Sequence, residues 1–374
     1  MFRSFAWAGY EAASHLRGDH ARVDALRSSG HDRWARLDHA ILGSLGVRTV
    51  REALRWHLIG EGTRDWSSAQ VQVEAALAMG VEIVWDICHW GVPDGMDVMA
   101  PDWPRRLADF AHDAARMLRR EGGAVAGWVP VNEMSFWAWA GGHMGYFAPH
   151  LIDQGDALKR QLVHGHLAVV DALRQLGRAE PLLVCEPLIW VHPASDAQAD
   201  VVEAHSLVES SFDAIRWVLE ADPTAIDVIG LNFYPHNQWV MHGERLLGAD
   251  PRKRSLSSLL ADVSRRFGLP LVVSETGAEE PDGDAWLAEM RDQLSIALAA
   301  GAPVQGVCVY PVTDYLGWDD ERHCPCGPIG MREGMRFVRP GQAAAMRALN
   351  ALAPKPHPTM VRDDAGTSLA LRAP

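Results

Sequence analysis

Eight apolar, strand-like runs alternate with helical segments along almost the whole chain of 374 residues, and this alternation restricts the possible folds most strongly. The runs are residues 2–9, 47–54, 82–90, 126–133, 181–187, 226–234, 270–276 and 304–312. They are apolar on both faces, which is typical of parallel strands that helices cover. Eight such units match a closed barrel, so we predict an α/β fold, a single-domain (β/α)8 TIM barrel over residues 1–354.

Helical spacing and turn glycines support the same architecture. Apolar residues recur at helical intervals between the runs, as at Trp34, Leu37, Ile41 and Leu45 or at Leu107, Phe110, Ala114 and Leu118. A glycine that can adopt the left-handed conformation stands where each of six helices should end: Gly46, Gly80, Gly122, Gly177, Gly268 and Gly301. An open doubly wound sheet is the alternative, but it does not need eight repeats and no GxGxxG follows the first run.

Charge and hydropathy exclude several classes of partner. The net charge of −13 argues against nucleic acid and anionic membranes, since phosphate binding needs a basic face. No apolar run approaches the length needed to span a bilayer. We therefore expect a soluble cytoplasmic protein, with a loosely packed or disordered tail over residues 355–374, where the periodicity is lost.

The cysteines are expected to be structural. Cys88, Cys185 and Cys308 lie in apolar runs, where a small buried thiol is the ordinary interpretation. His323, Cys324 and Cys326 are close enough in sequence to suggest a metal site, but a structural zinc needs four ligands and no second pair is evident nearby. A loop that covers the mouth of the barrel is the interpretation we favour.

Polar residues are concentrated where the predicted strands end, which is where barrel enzymes build their sites. They are Glu11, Arg51, Glu52, His89, Asn132, Glu133, Glu186, Asn232, Tyr234, Glu275 and Asp314. Glu133 ends the fourth strand and Glu275 ends the seventh, so the two carboxyl groups can approach one substrate atom from opposite sides. Such a pair suits cleavage of a glycosidic bond, in which one carboxyl protonates the leaving oxygen and the other attacks the anomeric carbon.

The two carboxyl groups need different environments for these roles. Glu275 must stay ionised, and Arg51 and the Tyr234 hydroxyl are the candidate partners that would keep it so. Glu133 must be protonated at first and act as a base later, which a neighbouring anion and aromatic burial favour. Among the tryptophans, Trp318 is our candidate platform for a sugar ring.

The motifs that carry these residues resemble those of the family 1 glycoside hydrolases, the β-glucosidase-like retaining enzymes. In chain order they are "FAWAG" (5–9), "GVRTVREALRW" (46–56), "HWGVP" (89–93), "VNEM" (131–134), "GYFAPH" (145–150), "HGHLAVVDALR" (164–174), "IGLNFYP" (229–235) and "VVSETGAEEPDGDAWLAEM" (272–290). The resemblance implies that Glu275 is the nucleophile and Glu133 the acid/base. It also implies that Arg51 and Tyr234 contact the nucleophile, that Asn132 and Asn232 orient the pair, and that His89 binds the sugar.

This chain departs from the family at residues that hold the sugar. His15 aligns with the glutamine that usually grips the sugar, and Glu11 is an alternative. In "YPVTDYLGW" (310–318), Tyr310, Gly317 and Trp318 stand where the family has a tryptophan, a hydroxyl-binding glutamate and a second tryptophan.

We therefore expect a β-glycosidase with intact cleavage machinery and an altered sugar preference. It should act on a small-molecule glycoside and need no cofactor or metal. Transglycosylation by the same residues and a catalytically silent carbohydrate-binding barrel are the alternatives.

Overall fold

A computed structural model describes residues 2–248 and 250–352 and the backbone of two short strands beyond them. Its main sheet comprises β1 Ala6–Gly9, β2 Thr49–Ala53, β3 Glu82–Asp86, β4 Val125–Val129, β5 Leu183–Pro187, β6 Val228–Asn232, β7 Leu271–Thr276 and β8 Val304–Val309. All neighbours are parallel, in the order β4-β3-β2-β1-β8-β7-β6-β5. The parallel bridges Trp128–Leu182 and Asn132–Cys185 join β4 to the β5 segment and close the ring. The predicted (β/α)8 barrel is confirmed.

At least one helix follows each barrel strand. The helices are α1 Ala25–Ser28, α2 His31–Ser44, α3 Trp56–Ile59, α4 Ser67–Met79, α5 Trp103–Arg120, α6 Met134–Trp137 with a π-helical continuation Ala138–His143, α7 Gly155–Gln175, α8 Gln198–Ser210, α9 Asp213–Ala221, α10 Leu256–Phe267, α11 Gly283–Ala299 and α12 Pro340–Asn350. Within the described ranges, none of these helices has the length and apolarity required to cross a membrane.

Short antiparallel or parallel strand pairs also form outside the main sheet. They are Trp190–His192 with Gln238–Val240, Tyr315–Leu316 with His323–Cys324, Ile329–Arg332 with Met335–Val338, and Met360–Arg362 with Ser368–Ala370. The prediction of a loosely packed or disordered tail over 355–374 falls, apart from the backbone of this last pair, outside the described residues.

The six turn glycines adopt the backbone conformation that their positions predict. All have positive φ, between 64° and 86°. At five of them an added Cβ would meet no atom within 4 Å, the exception being Gly46 beside Asn350. The turns therefore need glycine for its left-handed backbone rather than for lack of space.

Helix α2 forms where the apolar spacing predicts it, but of those apolar residues only Leu45, at its C-terminal end, is buried. Leu37 is 40% exposed, whereas His31, Asp38 and His39 are fully buried. Glu52 explains this difference, because alternation along β2 points Arg51 into the barrel and Glu52 outward beneath α2. The expectation that Glu52 joins the strand-end cluster is wrong for the same reason.

The buried polar residues under α2 form a closed network. Glu52 contacts His39 at 3.0 Å and His31 at 3.4 Å, and Gln72 donates to it. On the far side of His31, Asp38 contacts its Nδ1 at 2.8 Å, and Arg336 donates to both carboxylate oxygens of Asp38. Each buried carboxylate thus has a cationic or hydrogen-bonding partner, as burial of charge requires.

Candidate active site

A cavity of about 1690 Å³ opens over the C-terminal ends of the barrel strands. The predicted site residues that line it are Glu11, His89, Glu133, Tyr234, Glu275, Tyr310 and Trp318. Asn132, Asn232 and Arg51 are almost fully buried behind this lining and hydrogen-bond to it. The carboxyl ends of strands from all around the ring therefore supply one site, as the barrel geometry leads us to expect.

Glu275 faces the cavity because β7 contains an extra residue. The pairing of β6 with β7 shifts from Gly230–Val272 to Asn232–Glu275, so two steps on β6 match three on β7. Without this bulge, Glu275 would share the outward orientation of Val273. Its two oxygens are then bound separately, since Arg51 Nη1 donates to Oε1 at 2.7 Å and the Tyr234 hydroxyl to Oε2 at 2.8 Å.

Arg51 is held rigidly below Glu275. It is 1% exposed, and its guanidinium donates a hydrogen bond to each carboxylate oxygen of Asp86, at 2.9 and 2.8 Å. It also donates to Asn132 Oδ1 at 2.6 Å and to the carbonyl of Ser274 at 3.1 Å. Although burial opposes it, Arg51 together with His89 lowers the pKa of Asp86. Glu275 Oε1 is therefore bound by a guanidinium whose position is fixed by its other partners.

Glu133 is presented by an unusual backbone conformation. Its φ of 42° and ψ of 60° lie in the left-handed region, immediately before helix α6. This turn interrupts the strand alternation, so that Asn132 and Glu133, although adjacent in sequence, both serve the cavity. Asn232 Nδ2 donates to Glu133 Oε1 at 2.8 Å, and Ser274 Oγ donates to Asn232 Oδ1 at 2.6 Å and fixes that amide.

Burial and two neighbouring carboxyl groups favour the protonated form of Glu133. Burial is the largest cause, followed by the charges of Glu275 and Glu186, and together they raise the pKa of Glu133 well above its ordinary value, although the hydrogen bond from Asn232 opposes them. The cavity thus places a carboxyl group with a raised pKa in the same site as a carboxyl group that accepts a hydrogen bond from an arginine. That combination is the electrostatic requirement of an acid and a nucleophile acting on one bond.

His89 and Asn132 form a second hydrogen-bonded pair at the floor of the cavity. Asp86 accepts from His89 Nδ1 at 2.9 Å, which leaves Nε2 as the acceptor for Asn132 Nδ2 at 3.1 Å. The imidazole orientation is therefore set by a carboxylate that the sequence reasoning missed. Asp86 ends an apolar run three residues before His89, and a buried aspartate at that spacing is the signal that could have identified it.

The remaining predicted residues take several positions. Tyr310 is 2% exposed and stacks parallel to His89 at 6.3 Å between ring centroids, and Trp318 lies edge-on to Trp90 at 5.1 Å. His15 is not among the lining residues; it packs against Phe147 at 4.3 Å, and burial lowers its pKa to about 3. Of the two alternatives for the end of the first strand, Glu11 is the one that reaches the cavity.

Two further strand-end carboxyl groups have structural contacts. Asp314 accepts from the backbone N–H groups of Cys326 and Met331 and pairs with Arg339 at 2.8 Å, so it anchors the loop after β8 rather than joining the cavity. Glu186 is fully buried and accepts from the N–H of Ser135 at 3.0 Å, at the start of helix α6.

One group of side chains in the described part of the chain has spacing compatible with a cation. His31, His39 and Glu52 offer ligand atoms within 4.8 Å of one another, in the layer beneath α2. Although burial opposes it, the charge of Glu52 and the hydrogen bond to Asp38 raise the pKa of His31 to about 9. A proton on His31 thus already balances Glu52, while Arg336 balances Asp38. His323, from the suspected Cys-rich site, lies 3.2 Å from Asp314, and Cys324 and Cys326 are buried free thiols.

Comparisons with known proteins show that the chain is similar to β-glucosidases in sequence and in fold. The chain is 23% identical over 340 residues to Thermostable beta-glucosidase B of Thermobispora bispora, covering 75% of this chain and 72% of the relative. It shares the fold of the family 1 β-glucosidase of Thermotoga maritima, with a TM-score of 0.75 and 16% identity over 94% of this chain and 100% of that one. The AHE enzyme of Alicyclobacillus herbarius gives a TM-score of 0.76 with 18% identity, over 94% and 99% of the two chains. No protein-family model matches. The resemblance inferred from the motifs is confirmed by these neighbours.

Proposed function

We propose that this chain, a barrel with the fold of the family 1 β-glucosidases, is a glycoside hydrolase that cleaves β-linked O-glycosides with retention of configuration. The observation that carries the proposal is the pair of unlike carboxyl groups in one cavity. Glu275 has a hydrogen bond from a buried arginine, whereas Glu133 is kept protonated by burial and by the charges of its neighbours. The Thermotoga maritima β-glucosidase also has a structure in complex with deoxynojirimycin, which supports a sugar-like ligand for this kind of barrel.

The chemistry follows from these two environments. In the first step a Glu275 oxygen attacks the anomeric carbon while Glu133 gives its proton to the leaving oxygen, and the glycosidic bond breaks. Esterification removes the negative charge of Glu275, which is one of the causes of the raised pKa of Glu133. Glu133 can then take a proton from water, which attacks the same carbon and releases Glu275.

The stereochemistry of the product tests the mechanism. We expect the first sugar released from an aryl β-glycoside to be the β-anomer, because two displacements at one carbon restore the configuration. Proton NMR of the anomeric signals during the first minutes, before mutarotation, measures this. An α-anomer as the first product would contradict the double displacement, and an added alcohol that appears as a new glycoside would indicate transglycosylation.

The pH profile tests the proposed role of Glu133. Its proton must be present, so kcat/KM should fall as pH rises through the pKa of Glu133 in the free enzyme. Burial raises the pKa of Glu186 to about 7, and above that value its negative charge helps Glu133 to keep its proton. Glu186→Gln removes this charge and keeps an acceptor for Ser135, so we expect the alkaline limb to move to lower pH.

Glu289→Gln is the matched control for that shift. Glu289 also lines the cavity but is exposed, and it is absent from the causes of the raised pKa of Glu133. The two profiles are compared with one aryl glycoside under conditions where kcat/KM is measured directly. An unmoved alkaline limb in Glu186→Gln would show that another group controls it.

A further inference from the structure

Glu11 is a buried carboxylate with an incomplete hydrogen-bond shell. It is 3% exposed, and its Oε1 accepts from the N–H groups of Ala12 and Ala13, at 3.1 and 3.0 Å, and lies 3.5 Å from the Tyr310 hydroxyl. Within the described part of the chain, its Oε2 has no hydrogen-bond partner, and no arginine or lysine lies within ion-pair distance of Glu11. Oε2 is not fully enclosed by the protein and Glu11 lines the cavity, so this oxygen is available to a ligand there.

The location of Glu11 in the cavity indicates which part of a bound substrate it would contact. Glu11 follows β1, lines the same cavity as Glu133 and Glu275, and interacts electrostatically with His89 and Glu275. The floor of the cavity is formed by the strand ends, whereas its outer part is lined by loop residues such as the half-exposed Trp139. A glycoside whose reacting carbon lies at Glu275 therefore directs its glycone toward the floor and its leaving group toward the opening.

The alternative sugar-binding position, Gly317, has no side chain with which to bind a sugar. A Cβ there would meet the exposed Asp320 carboxylate at 2.6 Å and Cys324 Sγ at 3.6 Å. Asp320 itself is exposed and accepts from the N–H of Arg322 at 3.0 Å. His15 is turned away into the aromatic layer. Asp319 and Asp320 also line the cavity but are exposed, whereas Glu11 lines it and is almost fully buried.

We propose that Glu11 determines the sugar preference by accepting hydrogen bonds from a hydroxyl or amino substituent of the glycone, away from the reacting carbon. This proposal rests on the proposed glycosidase function. A carboxylate accepts from either donor. Burial raises the pKa of Glu11, and an ammonium group would in addition favour its ionised form. The role is one of substrate selection, so Glu11 should affect which sugars are cleaved more than the chemistry of cleavage.

The experiment combines changes in the protein with changes in the sugar. Aryl β-glycosides with one common, good leaving group are compared, each lacking one ring hydroxyl or carrying an amino group in its place. For the position that Glu11 binds, loss of the hydroxyl should lower kcat/KM of the unmodified protein by about 10- to 150-fold, the usual range for a hydrogen bond to a charged group. In Glu11→Gln this ratio should shrink to a few-fold, mainly through KM.

The amino analogues distinguish the two donors. If an ammonium group is the natural partner, the amino sugar should be the better substrate and should lose more than the hydroxyl sugar in Glu11→Gln, because glutamine carries no charge. If a hydroxyl is the partner, the two sugars should lose similarly. Glutamine keeps an acceptor for the N–H groups of Ala12 and Ala13, so the loop should be preserved. Should Glu11→Gln fail to fold, Glu11→Asp withdraws the carboxylate by one methylene and should likewise shrink the ratio between the sugar with the hydroxyl and the sugar without it.

Controls separate failure of this proposal from failure of the proposed function. Glu279→Gln changes a carboxylate that lines the same cavity but pairs with Arg322 at 2.6 Å, and it should leave the ratios between sugars unchanged. Ratios that are equally unchanged in Glu11→Gln would overturn the role of Glu11. No turnover of any aryl β-glycoside by the unmodified protein would instead overturn the glycosidase function itself.

Discussion

Replacement of Glu275 by glutamine is expected to lower kcat/KM for aryl β-glycosides by on the order of 10⁴- to 10⁶-fold, the scale seen when a covalent nucleophile is removed. The amide is nearly the same size, so it can occupy the place between Arg51 and Tyr234, but it has no charge with which to attack. Arg51 retains its two hydrogen bonds to Asp86, which should preserve the fold around the site. Glu289→Gln, at the exposed edge of the cavity, should retain full activity.

Intact-mass measurement gives a second readout for Glu275. A 2-fluoro glycoside with a good leaving group slows the release of the covalent intermediate, so the unmodified protein should gain the mass of one fluorosugar. Glu275→Gln should gain none, and peptide mapping should locate the label on Glu275. A label on any other residue would contradict the assignment even if the variant were inactive.

Replacement of Glu133 by glutamine is expected to lower the rate by about 10²- to 10⁴-fold for substrates with poor leaving groups, the usual contribution of general acid catalysis. Formation of the glycosyl-enzyme from substrates with very acidic leaving groups should be much less affected, because they depart without a proton. The measurement is therefore a plot of log kcat/KM against leaving-group pKa for both proteins. The slope should be steep in Glu133→Gln and shallow in the unmodified protein, and a parallel displacement of the two plots would argue against proton donation by Glu133.

The barrel could be predicted because its signals repeat. Eight apolar runs, helical spacing between them and a glycine before most strands all indicate the same architecture, so an error at one element does not change the result. Because these repeated signals define the strands, they also predict that Glu133 and Glu275 lie at strand ends. The direction in which a side chain points at each strand end cannot be predicted in this way, since it depends on local backbone features, such as a bulge, that do not repeat along the chain.

Three particular residues show where this limit lies. Simple alternation along β7 would point Glu275 away from the cavity, and the bulge that reverses it has no distinctive sequence signal. Glu52 stands beside Arg51 in the sequence, which predicts a shared site, yet it belongs to the network with His31 and His39. That network also explains why half-buried Trp34 and Ile41 and exposed Leu37 do not form the buried face of α2, although their spacing predicts the helix.

The choice between His15 and Glu11 needed the packing of distant segments. Alignment favours His15, whereas contact with Phe147, from the loop after α6, holds its ring outside the cavity. Sequence similarity alone cannot show such a displacement, because it is produced by residues more than a hundred positions away.

The left-handed backbone conformation at Glu133 creates a trade-off between the stability of the fold and the function proposed for this residue. A non-glycine residue in that conformation costs about 1–3 kcal/mol, and burial of a carboxyl group that accepts a hydrogen bond only from Asn232 adds to the cost. Glycine would relieve both, so a search for substitutions that raise the melting temperature would tend to select position 133 and discard the residue on which we expect cleavage to depend. Variants of this barrel should therefore be ranked by activity as well as by thermal stability.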